Sequence, residues 1–312
     1  ERAASPGLEF AEIRFNPSGG ATILMGSKNQ GQGHETIFRQ IAAERLGIDP
    51  SDIQYIDGDT DRVAFGIGTN GSRSTVIGGS ALWQAAGKII EKGKRIAAHF
   101  MEADVEDMDY ADGLFTVAGT DRSMSLVDVA RSAFMHAKLP PDLEGGLFET
   151  ATFSPEADTF PNGAHVCEVE IDPETGQVNL VSYSVVDDVG TVINPMGLKG
   201  QIHGGIAQGL GQALMEQVVY DPDSGQILSG SFMDYTMPRA DTTCAIQVES
   251  NPVPTKQNPL GAKGAGEAGT VGALPAVMNA VLDALAPLGV RDLDMPATSD
   301  RVWHAIQQAK TT

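Results

Sequence analysis

One carboxylate and one ammonium group stand among four glycines in Gly261-Ala262-Lys263-Gly264-Ala265-Gly266-Glu267-Ala268-Gly269, at the mouth of an apolar helix pattern. Glycine at that density lets a backbone approach a bound molecule closely. A carboxylate held there, Glu267, is a candidate general base, because its oxygens can take a proton from a positioned nucleophile. The competing reading is structural: an acid in the first helical turn, favoured by the helix dipole, with the glycines as loop punctuation.

Three more donor-rich loops lead into helix patterns. Gln30-Gly31-Gln32-Gly33-His34-Glu35-Thr36 opens one of them. Unpaired N–H groups and the positive dipole end make a helix N-terminus an anion site, and the Gln32 amide can both donate and accept. The loop lacks the Gly-Lys-Ser/Thr of a Walker phosphate loop, and it lacks the third glycine and downstream acid of a dinucleotide fingerprint. An ordinary capped strand-to-helix loop is the alternative. In Gly66-Ile67-Gly68-Thr69-Asn70-Gly71-Ser72-Arg73-Ser74-Thr75, Arg73 lies between the hydroxyls of Ser72 and Ser74 and suits a bidentate phosphate grip. A plain loop is again the alternative. Asp187-Asp188-Val189-Gly190-Thr191-Val192-Ile193-Asn194-Pro195 leaves a strand and enters a helix, with Asn194 as N-cap and Pro195 at the first helical position. Beyond it Gly204, Gly205, Gly209 and Gly211 fall within a helix pattern. Each costs about 1 kcal/mol relative to alanine, which very close packing would offset. His203 on that helix fits a packed core histidine better than a ligand. One large anionic, hydrogen-bonding ligand clasped by all four loops explains their recurrence better than four unrelated loops. A pterin with a pyrophosphate tail is such a ligand.

Regular elements must hold these loops in place. Residues 8–15 and 21–26 read as two strands around Asn16-Pro17-Ser18-Gly19-Gly20. Ile37, Ile41, Ala42, Leu46 and Ile48 fit a helix ending at Gly47, and residues 52–57 a strand. Residues 57–79 are too long and polar for a plain connection, and 82–101 read as a long amphipathic helix. A small hairpin over 110–117 precedes a short helix over 126–137. After a Pro- and Gly-rich stretch at 139–163, strands over 164–171 and 177–187 pair around a turn. Residues 218–220 and 226–228 form another pair, 245–249 a strand, and helices follow over about 274–288 and 298–309. No regular βαβ repeat joins these elements, so the pattern predicts an α+β fold rather than a doubly wound sheet. The expected organisation is two mixed α+β subdomains, 1–150 and 151–312, the second carrying the glycine–glutamate loop. The last helices could pack back onto the first.

The chain of 312 residues, 41% hydrophobic, is long enough to bury a core. With 21 basic against 41 acidic side chains, its formal net charge is −20, and no basic run relieves it. That balance excludes nucleic acid and anionic membrane as partners, and an anionic ligand would need local donors. Two cysteines, Cys167 and Cys244, are too few for a disulfide framework and suit a reducing, cytoplasmic setting. The six histidines show no His-x-x-x-His spacing, so no protein-ligated zinc or iron–sulfur centre is expected. No apolar run is read as long enough to insert in a membrane. The opening Glu1-Arg2-Ala3-Ala4-Ser5-Pro6-Gly7 has neither initiator methionine nor signal-peptide pattern, which is the expectation for a piece of a longer polypeptide.

In order and spacing, five segments resemble the molybdenum-cofactor-binding large subunit of the xanthine oxidase family. They are Gly31-Gln32-Gly33-His34-Glu35-Thr36, Gly71-Ser72-Arg73-Ser74, the run from Asp187 to Pro195, Gly200-Gln201-Ile202-His203-Gly204-Gly205, and Gly261-Ala262-Lys263-Gly264-Ala265-Gly266-Glu267. The branch most resembled is that of bacterial carbon monoxide dehydrogenase large subunits and their aldehyde dehydrogenase-like relatives. The resemblance covers essentially the whole chain and matches the C-terminal half of such a subunit, its second molybdopterin-binding domain. It implies molybdenum held through the dithiolene of a pterin, often the cytosine dinucleotide form in bacteria. It implies that Gln32, Gly33 and His34 line the cofactor together with Ser72, Arg73 and Ser74. Asp188, Thr191, Asn194 and Gln201 would hold the pterin or its nucleotide tail, and Lys263 and Gly264 would sit beside it. Glu267 would be the base acting on the metal-bound hydroxyl that attacks an electron-poor carbon. A metal lowers the pKa of such a hydroxyl, so a nearby carboxylate can take its proton.

The resemblance further implies an iron–sulfur subunit and a flavin subunit as electron partners, an N-terminal half of the large subunit that completes the site, and a homodimer of the whole complex. The chain alone would then be inactive and without the molybdenum cofactor. Two departures stand out. Val189 occupies a position where many relatives carry cysteine, and the half that would carry a copper-binding cysteine signature lies outside this chain. The competing readings are a non-catalytic cofactor-binding module or decayed paralogue, and a nucleotide-phosphate binder. Retention of Lys263 and Glu267 beside all the donor loops favours an enzyme.

Overall fold

In a computed structural model that describes residues 1–4 and 7–311, the first hairpin forms as β1 (Glu9–Phe15) and β2 (Ala21–Met25). Ser5 and Pro6 of the opening segment lie outside the described residues. Asn16 closes the turn, its Oδ1 accepting the N–H groups of Ser18 and Gly20 at 3.0 and 3.1 Å. The chain then enters α1 (His34–Leu46), which ends where Gly47 adopts the left-handed conformation and returns its N–H to Ala43. β3 (Ile53–Asp57) lies parallel to β2. The polar stretch that follows leads through a wide π-type turn, Ser74–Gly78, into α2 (Gly79–Phe100), whose start lies three residues before the expected position. β4 (Met108–Ala111), β5 (Leu114–Val117) and β6 (Ser123–Ser125) form a small antiparallel sheet. α3 (Leu126–Ser132) follows, capped by the Ser125 hydroxyl, and stops short of the expected residue 137. β7 (Phe148–Phe153) returns to pair with β1, giving a sheet ordered β3-β2-β1-β7.

α2 buries Leu82, Ala85, Ala86, Ile89, Ile96 and Ala97, the three- and four-residue spacing of one helical face. Against that face lie Ile13 and Ile23 of the sheet and Phe38 and Leu46 of α1, all fully buried. Each such side chain contributes about 1.5–3 kcal/mol of transfer free energy. This first apolar core draws on residues between Ala11 and Ala151, so its sheet runs through residue 150.

A second core begins with β8 (Asn162–Ile171) and β9 (Val178–Asp188), an antiparallel pair with an irregularity at Glu168/Val169. α4 (Pro195–Leu214) follows, β10 (Ile246–Ser250) adds to β9 in parallel, and α5 (Ala268–Leu285) and α6 (Ser299–Lys310) complete the chain. Between α4 and β10 the expected pair near residues 218–228 is reduced to one bridge, Tyr220 to Ile227. The two terminal helices stay with this second core: Val277, Val281, Val302 and Ile306 are fully buried with Tyr183 and Ile206. The architecture is α+β, as the patterning predicts.

α5 starts six residues before the expected 274, because Gly269 reads as a loop residue. Its use is close approach. A Cβ on Gly269 would lie 2.5 Å from the Ile202 carbonyl oxygen, and one on Gly205 would lie 2.9 Å from the Thr270 nitrogen. The α4 and α5 backbones therefore touch, and the Thr270 hydroxyl donates to the Gly205 carbonyl at 2.9 Å. This contact offsets the propensity cost of glycine inside both helices. The earlier start also changes one expectation. Ala268–Leu288, at 21 residues, is long and apolar enough to cross a membrane by length and composition, contrary to the reading that no run is. In the fold it packs against α4 and β8.

Candidate functional site

The loops ahead of α1, α4 and α5 open on one cleft of about 290 Å³, near the lower edge of ordinary ligand pockets and open on one side. Three helix N-termini thus converge, each with unpaired N–H groups and a positive dipole end. The donor-rich loop at 69–75 forms the remaining wall. Backbone pairing holds the parts together. Gly190 bridges Ala262, the Thr191 N–H reaches the Gly261 carbonyl at 2.9 Å, and the Lys263 N–H reaches that of Val189 at 2.8 Å. Asn258 ties the glycine loop further, donating to the Ala262 carbonyl at 2.8 Å and accepting from Leu260 and Ala262. A Cβ on Gly264 would stand 2.0 Å from the Ser72 carbonyl oxygen, so only glycine lets the loop of the second core touch that of the first.

Eleven of the thirteen residues singled out from sequence line this cleft: Gln32, His34, Ser72, Arg73, Ser74, Thr191, Asn194, Gln201, Lys263, Gly264 and Glu267. Gly33 and Asp188 stand just behind it. Gly33 is the N-cap of α1. Asp188 accepts the ammonium of Lys263 at 2.5 Å and the N–H groups of Gly190 and Val253 at 2.8 and 2.9 Å. Burial opposes ionisation of Asp188, but these donors, Lys263 first, outweigh it and hold its carboxyl below the usual range. The Lys263 charge is therefore spent on Asp188. Asn194 caps α4 through its Oδ1, 2.7 Å from the Gly197 nitrogen, and its amide donates to Gln40 of α1 at 3.0 Å. Gln30, Thr69, Asn70 and Val189 also line the cleft and were not singled out as site residues. The first three share the donor chemistry of their neighbours, which was the available signal.

The phosphate grip expected of Arg73 does not match its surroundings. Its side chain is 4% exposed and pairs with the fully buried Glu9 at 2.9 Å. Its other bonds go to the carbonyls of Leu8 and Gly68, at 3.0 and 3.3 Å. A carboxylate buried on β1 demands a partner, and the guanidinium supplies it. Arg73 thus fixes the loop that carries Ser72.

Other groups are free. Among the described residues the Gln201 amide and the Thr191 hydroxyl make no hydrogen bond, and Nδ1 of the buried His34 has no partner. Burial pushes the His34 imidazole below its ordinary value, against the pull of Asp57 and with a further lowering by Lys28, so the ring is neutral at pH 7. Glu267 stands at the N-cap of α5. Its N–H donates to the Ser72 hydroxyl oxygen at 3.0 Å, and its Oε2 lies 2.9 Å from the same oxygen. That oxygen also lies 2.6 Å from Oε1 of Glu1. Glu1 carries no sequence motif; only the fold brings it here, through the bridge of Ala3 to Thr159.

The site can hold an elongated anion on helix N-termini and neutral donors, and it presents one carboxylate at its edge. The family model for the molybdopterin cofactor-binding domain matches residues 2–244. The chain is 41% identical over 302 residues to the carbon monoxide dehydrogenase large chain of Hydrogenophaga pseudoflava, covering 96% of this chain and 37% of that protein. It is 38% identical to the nicotine 6-hydroxylase large subunit of Paenarthrobacter nicotinovorans, covering 95% and 36%. Among solved structures, a Cu,Mo-CO dehydrogenase superposes with a TM-score of 0.90 at 38% identity, over 97% of this chain and 38% of its own. The chain therefore spans little more than a third of the relatives it matches. It belongs to the molybdopterin-binding large subunits of the xanthine oxidase family.

Proposed function

We propose that this chain is the cofactor-clasping, base-supplying part of a molybdenum hydroxylase. The complete enzyme would hydroxylate an electron-poor carbon, or oxidise carbon monoxide, with water as oxygen source. The observation that carries this reading is the convergence of three helix N-termini on a cleft edged by Glu267. The residues present fit a molybdenum–pterin group with an anionic tail: the unpartnered His34 nitrogen, the free Gln201 and Thr191 side chains, and the small residues of the glycine loop leave both donors and room. Gln32, Ser72, Ser74, Asn194 and Gln201 would hold the pterin and its tail. Arg73, Asp188 and Lys263 would shape the loops that do so. When bound, the group supplies two-electron oxidation. Glu267 takes a proton at a carboxylate oxygen from the attacking water, a task its place at the cleft edge suits.

The half-open cleft supports a second wall from an N-terminal half of the large subunit. On this reading iron–sulfur and flavin subunits accept the electrons, the cofactor is the cytosine dinucleotide form, and the assembled complex is a cytoplasmic dimer. The chain by itself would then be inactive. The test is Glu267→Gln in the complete enzyme, with molybdenum measured beside turnover. Loss of a general base predicts a fall of about 100-fold or more with metal content unchanged. Turnover within a few-fold of the parent would refute the reading.

A further inference from the structure

The Ser72 hydroxyl has one hydrogen and two carboxylates within hydrogen-bond distance, Glu1 Oε1 at 2.6 Å and Glu267 Oε2 at 2.9 Å. With both acids ionised, one of these contacts would join two acceptors, which is repulsive. One proton on Glu1 resolves the count. Glu1 then donates to the Ser72 oxygen, and Ser72 donates to Glu267. The second lone pair of Ser72 takes the Glu267 N–H at 3.0 Å. The other oxygen of Glu1, Oε2, is buried without a partner, which a neutral carboxyl tolerates far better than an ion. Burial, and with it the adjacent Glu267, push the Glu1 carboxyl above its ordinary range, against the Ser72 bond.

Nearby charges are committed elsewhere. Arg2 pairs with Asp158, Lys263 with Asp188, and Arg73 with Glu9. The nitrogen of Glu1 bonds the Pro161 carbonyl at 3.0 Å, a bond that amine and amide make alike. Among the described residues no side-chain cation pairs with Glu1 or Glu267. We propose that Glu1 is a positioning residue for Glu267: in its neutral form it acts through Ser72 to hold the Glu267 carboxylate in one orientation at the cleft. The role of Glu267 as base rests on the function proposed above; the hydrogen-bonded chain does not.

Two measurements test it. The first is pH-difference infrared spectroscopy of the full polypeptide freed of cofactor. A neutral-acid carbonyl band should persist above the pH at which ordinary glutamates ionise, vanish in Glu1→Gln, and move to lower pH in Glu267→Gln. Absence of that band, or indifference to Glu267→Gln, would overturn the proposal. The second is the pH profile of the loaded enzyme. Ionisation of Glu1 breaks the chain, so it adds a loss of kcat on the alkaline side. A glutamine amide can donate as the neutral acid does, so Glu1→Gln should keep kcat within about threefold and remove that alkaline loss. Glu1→Ala should lower kcat by about tenfold or more through misplacement of the base. Equal losses in both variants, with the profile unchanged, would also overturn it. Full activity of Glu267→Gln would remove the base assignment and not the pairing, which the infrared band reports without turnover.

Discussion

If Arg73 is a structural partner of Glu9, then neutralising Glu9 must damage the protein even when no ligand is present. Glu9 is fully buried and Arg73 is 4% exposed, 2.9 Å apart. Glu9 also accepts the Phe10 N–H at 3.2 Å and lies 3.4 Å from the Ser27 hydroxyl. Glu9→Gln keeps the shape and removes the charge, leaving a buried guanidinium without its counter-ion. Breaking one side of such a pair costs about 3–5 kcal/mol. At about 2–4 °C per kcal/mol for a chain of this size, the melting temperature should fall by roughly 6–20 °C. Arg73→Met alone should do comparable harm. Combined with Glu9→Leu it should recover most of the loss, because two apolar side chains replace an ion pair at little net cost. The assay is thermal unfolding of the cofactor-free protein in all variants. A phosphate-binding Arg73 predicts the opposite pattern, with cofactor loss in Arg73→Met and an unchanged melting temperature in Glu9→Gln. A fall of less than about 2 °C in Glu9→Gln would refute the structural assignment.

A side chain at Gly269 would drive into the Ile202 carbonyl oxygen, so Gly269→Val should cost about 1–3 kcal/mol by urea unfolding. Gly200→Ala, where a Cβ meets nothing within 4 Å, should instead gain up to about 1 kcal/mol as a helix-propensity effect. His34 is held neutral by burial, so its folded value lies below the ordinary imidazole value of about 6.5. The stability this allows is complete above about pH 6.5 and is lost as pH falls through the lowered folded value. Melting curves of the parent and His34→Gln across that window should diverge, the glutamine variant being the flatter.

The sequence could reveal each loop but not how its charges are spent. Glycines, amides and hydroxyls ahead of a helix are local signals, and the convergence of those loops on one cleft agrees with reading them as parts of one site. The charge of Arg73, by contrast, is paired with Glu9, a strand residue 64 positions away whose burial no local pattern announces. Lys263 likewise answers to Asp188 across 75 positions. From sequence, Arg73 reads as a ligand contact because a lone basic residue in a donor loop looks available until its acid is known. Sequence alone places the start of α5 too late for a related reason. Gly269 serves a helix crossing, and that use is indistinguishable from a turn until α4 lies against it. Glu1 is the limiting case. Its relation to Glu267 runs through one hydroxyl on a third segment, 71 residues from one acid and 195 from the other. Local composition therefore reports where a backbone must come close to something. Which charges remain free to act there is a property of the tertiary pairing, and in this chain that pairing leaves neutral donors and one carboxylate facing the cleft.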